Sequence, residues 1–136
     1  MSLPRRTFAA CLLVCASGVA LGASSRPIVE PDPVSVPAGT STAAVAKAIK
    51  RALLGRDWTV SNEKPGYMEG TLNVRKHMVK VGISYDGKRV AMKYLDSAEL
   101  GYKESGGEQY IHPKYTQWTR NVMIDVNKNL QVQDSE

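Results

Sequence analysis

From Pro65 to Leu95 the chain reads PGYMEGTLNVRKHMVKVGISYDGKRVAMKYL. Apolar and polar residues alternate in stretches, which is the period of strands with one buried and one solvated face. Asp86-Gly87 interrupts the alternation and predicts a two-residue type I′ hairpin turn, since both of its positions favour φ above zero. That turn sets Tyr85 opposite Lys88, Ser84 opposite Arg89, Ile83 opposite Val90, Val81 opposite Met92 and Val79 opposite Tyr94. A second turn at Lys76-His77 sets Val74 against Val79 and Leu72 against Val81. Leu72, Val74, Val79, Val81, Ile83, Val90, Met92 and Tyr94 then share one surface, which a slip of one residue would scatter. Asp57-Trp58-Thr59-Val60 adds a short candidate strand.

Helical periodicity flanks this block. After Ser41 or Thr42, either able to cap, Val45, Ala48, Ile49, Ala52 and Leu53 form one stripe, with Gly55 as the expected stop. Near the other end Pro113 suits a first helical turn. Tyr115, Trp118, Val122, Val126 and Leu130 make a second, larger stripe bordered by Met123, while Ile124 projects away. The order helix, strands, helix predicts an α+β domain: an antiparallel meander of three to four strands with an N-terminal and a C-terminal helix packed on one face.

The polar face of that meander is expected to carry the rows Asn73–Lys80–Lys93, Thr71–Gly82–Ala91 and Glu69–Ser84–Arg89. A middle row of small side chains leaves backbone approachable, so Lys80, Lys93 and Arg89 are candidate contacts for an anionic partner. The plain alternative is the solvated side of a two-layer sheet. Tyr102 and Tyr110 flank a polar, Gly-rich connection. With His112 and Lys103 they are candidate contacts for a small molecule or peptide.

At the N-terminus Arg5 and Arg6 precede an apolar run from Thr7 to Leu21 and then small residues, as in a secretory signal over residues 1–22. The run is too short to span a bilayer comfortably, and none downstream is longer. An uncleaved anchor or a buried N-terminal helix is the other reading. Periplasmic export is the expectation, with lipid attachment through Cys15, or secretion, as alternatives. Both cysteines, Cys11 and Cys15, lie inside the leader, so its removal excludes disulfides and thiolate chemistry. Removal also takes two basic residues and no acid, lowering the formal charge from +5 to +3, which gives no case for nucleic acid. Residues 23–42 contain Pro27, Pro31, Pro33 and Pro37 and read as a tether or an extended arm packed on the single domain expected over residues 43–134.

His77 and His112 are the sole histidines, expected as a surface residue and a local cap, and no serine–histidine–acid set is apparent. HExxH, CxxC and phosphate-loop spacings are absent, so no metal site and no cofactor is expected. Several groups of residues bear a resemblance: Arg56-Asp57-Trp58, Arg75-Lys76-His77, Ile83-Ser84-Tyr85, Tyr94-Leu95-Asp96-Ser97 with Leu100 and Tyr102, and Ile111-His112-Pro113-Lys114-Tyr115 with Trp118. From Trp58 onward the chain resembles small, largely uncharacterised envelope lipoproteins of Gram-negative bacteria, a group that lends no catalytic roles. Such proteins commonly carry Cys-Ala-Ser before Arg-Pro-Ile. Here Gly22-Ala23-Ser24-Ser25 stands before Arg26-Pro27-Ile28, without the lipid-bearing residue. The expectation is a non-enzymatic envelope binding or accessory module. Its partner would be an envelope protein or an anionic envelope component. A structural or assembly subunit of an envelope complex is the alternative.

Overall fold

A computed structural model describes residues 25–133; the expected leader, both cysteines and the cut near Ala23 lie outside these residues. The elements run β1 (Arg26–Pro27), β2 (Val34–Ser35), α1 (Thr42–Gly55), β3 (Thr59–Lys64), β4 (Tyr67–Val74), β5 (His77–Tyr85), β6 (Arg89–Ala98), β7 (Lys103–Ser105), β8 (Glu108–Ile111) and α2 (Lys114–Gln133). They build two sheets, one of five strands in the order β2-β6-β5-β4-β3 and one of three in the order β1-β8-β7. This corrects the expected single meander of three to four strands.

The arm and a second hairpin supply the extra strands. Proline lacks an N–H, but an edge strand bonds on one side only, so short edge pairings tolerate it. Arg26 and Pro27 pair with Ile111 and Tyr110, Val34 and Ser35 pair with Val90 and Arg89, and the Val36 N–H donates to the Lys88 carbonyl at 2.9 Å. The proline-rich stretch is therefore a packed arm that joins both sheets. The second hairpin turns at Gly106-Gly107, whose φ values of 59° and 81° meet the type I′ requirement.

That requirement is not met at Asp86-Gly87, where neither residue has positive φ. The turn moves on to Gly87-Lys88, closed by the Asp86 N–H donating to the Arg89 carbonyl at 3.1 Å. The Asp86 carboxylate accepts the N–H groups of Lys88 and Arg89 at 2.8 and 3.0 Å, and these bonds hold it below the usual carboxylate range. Tyr85 thus faces Val90, Ile83 faces Met92 and Val81 faces Tyr94; Leu95 then bulges before Lys80 meets Asp96. The β4–β5 turn also shifts, to Arg75-Lys76, with Arg75 at φ 58°, so that Val74 faces His77 and Leu72 faces Val79. The β4–β5 ladder, and the β5–β6 ladder as far as the bulge, are displaced by two residues from expectation; beyond the bulge Val79 faces Ser97 and not the expected Tyr94. Strand side chains alternate with period two, so every core residue stays on its expected face.

The core confirms those faces. Met68, Leu72, Val79, Val81, Ile83, Val90 and Met92 are buried with Val45, Ala48, Ile49, Ala52 and Leu53 of α1 and Tyr115, Val122, Val126 and Leu130 of α2. Ser41 caps α1 by accepting the Ala44 N–H at 3.1 Å. Gly55 is the last residue of α1, but the left-handed residue beyond the cap is Asp57, at φ 68°, with the Trp58 N–H reaching back to the Leu53 carbonyl at 2.9 Å. Gly70 lets α1 approach the sheet, since a β-carbon there would stand 2.9 Å from Leu53 Cδ2. Asn129 ties α2 to α1 by donating to the Ala48 carbonyl at 3.0 Å.

Candidate functional site

The shifted register redraws the polar face of the large sheet. Thr71 faces Lys80, which faces Asp96; Glu69, Gly82 and Lys93 form the next row; Tyr67, Ser84 and Ala91 form the one after. The expected small row does not assemble, and Gly82 is not open. A β-carbon there would meet the Tyr67 hydroxyl at 2.8 Å and Leu95 Cδ1 at 3.3 Å. Tyr67 is held across the glycine because its hydroxyl donates to Glu69 at 2.8 Å, while Asn62 donates to the same carboxylate at 2.6 Å. Those two bonds hold Glu69 below its ordinary range, with Lys80 4.0 Å away. Lys93 and Arg89 are exposed and make no ion pair among the described residues.

The aromatic loop is also rearranged. Lys103 pairs with Tyr110 across the small hairpin and its Nζ sits 5.8 Å from that ring's centroid. Tyr102 precedes Lys103 in the chain and so belongs to the opposite face. Tyr102 and Tyr110 therefore do not bound one cleft. Tyr102 instead stacks on Tyr94, with centroids 4.8 Å apart and planes 10° apart. Its hydroxyl donates to Glu104 at 2.8 Å and accepts from Gln109 at 2.9 Å. The bond to Glu104 raises the Tyr102 phenol. His112 caps α2, its Nδ1 accepting the Lys114 N–H at 3.1 Å. His77 Nδ1 donates to the Glu99 carbonyl at 2.5 Å. His112 is thus engaged locally, while His77 is bonded to a residue 22 positions away, and the described residues contain no group of three or more His, Cys, Asp or Glu able to hold a metal ion.

Tyr94 meets Tyr115 edge to face at 5.8 Å, which extends the aromatic stack to α2. Glu30 of the arm closes this column. Its carboxylate accepts the Tyr115 hydroxyl at 2.5 Å and the Tyr94 N–H at 2.8 Å. Burial, reinforced by that carboxylate, pushes the Tyr115 phenol far up. Glu30 thereby pins the arm at mid-length, and nothing in the sequence pattern marked it.

Beyond the pin, the arm and α2 enclose a cleft of about 520 Å³ lined by Val29, Pro31, Val34, Arg120, Met123 and Ile124 among others. Val29 and Ile124 are 59% and 45% exposed, so apolar surface is presented to solvent at this cleft. From Val29 to Pro33 the main chain makes no backbone hydrogen bond among the described residues. Ile124 was legible in the sequence as the residue leaving the helical stripe. The wall opposite it was not, because the arm's path depends on Glu30.

Fold and clefts together define a two-sheet α+β domain stitched by its own N-terminal arm. No protein-family model matches the sequence, and no curated protein or solved structure is significantly similar to it. Among the described residues no helix is long and apolar enough to cross a membrane.

Proposed function

We propose that this chain is a non-enzymatic binding or accessory module of the cell envelope that holds an extended segment of a partner protein in the cleft between the arm and α2. The observation that carries the reading is the exposure of Val29 and Ile124 at a cleft whose walls mix apolar and polar side chains, beside a stretch of arm that makes no backbone–backbone hydrogen bond among the described residues. Exposed apolar side chains supply affinity, and the backbone carbonyls with the N–H groups of Val29, Glu30 and Asp32 supply register, the combination by which extended peptides are recognised. The signal-like pattern of residues 1–22 and the resemblance to envelope lipoproteins support the location.

Photocrosslinking tests it. Benzoylphenylalanine at position 124 or 29 is expected to capture one and the same envelope protein, with no adduct from position 76 on the β4–β5 turn. Ile124→Glu should abolish the adduct formed from position 29, while Lys80→Glu with Lys93→Glu should leave it in place. Adducts of equal yield at position 76, or none at 124 and 29, would overturn the reading. A structural or assembly subunit is the second reading, favoured by the same exposed Ile124. It predicts a complex of fixed stoichiometry that survives size-exclusion chromatography.

A further inference from the structure

On the opposite flank of α2, away from the arm, a second cleft of about 420 Å³ opens where α1 ends. Arg56, Asp57 and Trp58 line it with Asn73 of β4 and Trp118 and Asn121 of α2. We propose that this cleft binds a neutral pyranose saccharide, independently of the protein partner.

The aromatic groups set the shape of the ligand. Trp118 is half-buried and presents rigid apolar surface to the cleft, backed by Trp58, which is 2% exposed and belongs to the core. The Cε3 edge of Trp58 lies against Gly70, 3.4 Å from where a β-carbon would stand; its N–H belongs to the far edge. That N–H has no hydrogen-bond partner among the described residues, although buried polar groups are rarely left unpaired.

The polar groups set its chemistry. The side chains of Asp57, Asn73 and Asn121 make no hydrogen bond or ion pair among the described residues. Arg56 is already neutralised by Asp125, through contacts of 2.7 and 3.3 Å. The cleft thus offers amide donors together with amide and carboxylate acceptors, and no uncommitted cation among its lining residues. A phosphate or carboxylate ligand would find no free positive charge and would meet Asp57. A purely apolar ligand would strip water from the amides without replacing its hydrogen bonds. A sugar ring fits both halves, laying its C–H face on an indole while each hydroxyl donates and accepts. The volume lies in the usual range for small-molecule sites, roughly 300–1,000 Å³.

Asp57 lines the cleft from the position that ends α1, where its φ is 68°.

The two tryptophans are the chain's own reporters. Titration with glucose, N-acetylglucosamine, maltotriose and chitotriose, followed by indole emission and by amide chemical shifts, is expected to show saturable binding of at least one with Kd of ~1 mM or tighter. Sedimentation with insoluble peptidoglycan is the polymer arm. Binding there without binding of the short sugars assigns the ligand to a glycan strand. Trp118→Ala, Asn121→Ala and Asp57→Gly should each weaken binding about tenfold or more, with Trp118→Phe retaining it; inorganic phosphate should not compete. Binding in neither arm, or binding unchanged in folded Trp118→Ala and Asn121→Ala variants, would overturn the proposal.

Discussion

Asp57 and Tyr115 show how single residues set the local energetics. Relief of the left-handed backbone at Asp57 is worth about 1–2 kcal/mol, and the added freedom of glycine in the unfolded chain returns about 0.4–1. Asp57→Gly is therefore expected to stabilise the fold by about 0.5–1 kcal/mol in urea titrations even as it removes a proposed ligand contact. Tyr115 carries the opposite lesson. Its hydroxyl bond to Glu30 has a charged acceptor, and Tyr115→Phe should cost about 1.5–3 kcal/mol. Because the folded phenol is raised, its contribution is complete below the ordinary tyrosine range and is lost as pH climbs beyond it. The variant should accordingly show a shallower alkaline loss of stability than the parent.

At the level of elements, two of the three hairpins of the large sheet depend on side-chain bonds that the alternating pattern does not report. Asp86 holds the β5–β6 turn, and Glu69 gathers Asn62 and Tyr67 beside the β3–β4 bulge. Both carboxyls sit below their ordinary range, so the folded state binds their protons less tightly than the unfolded chain does. Their stabilisation is present above the ordinary carboxylate range and fades as pH falls through the lowered values. Glu69→Gln with Asp86→Asn should flatten the acid limb of a stability–pH profile. The packing of α1 on β4 has a separate control. Gly70→Val would press into Leu53 and Trp58, and an overpacking cost of about 1–3 kcal/mol is expected from its urea midpoint.

For the molecule as a whole, the arm is the organising feature. It pairs with β8, is pinned by Glu30 against the aromatic column, and pairs again with β6, so each sheet borrows an edge from the same twelve-residue stretch from Ser25 to Val36. Ile111 of the small sheet and the sheet-facing residues of the large one belong to a single core cluster. A shared core predicts one cooperative transition, with far-ultraviolet circular dichroism and tryptophan emission superimposing on urea titration. An earlier transition in either probe would mean that the small sheet melts separately.

By itself the sequence determined which residues turn inward: the helix stripes and the apolar face of the meander follow from periods of 3.6 and 2 that any register of the same parity preserves. The register within that parity was set by a bond local to the turn that the alternation does not report, Asp86 taking the Lys88 and Arg89 N–H groups in place of the type I′ turn that Asp86-Gly87 favours. Tertiary structure decided the path of the arm, since Glu30 holds it through Tyr94 and Tyr115, residues 64 and 85 positions away. Both clefts inherit that division. Ile124 and Trp118 could be placed on their helix from spacing alone, whereas the walls opposite them come from chain segments that meet only after folding.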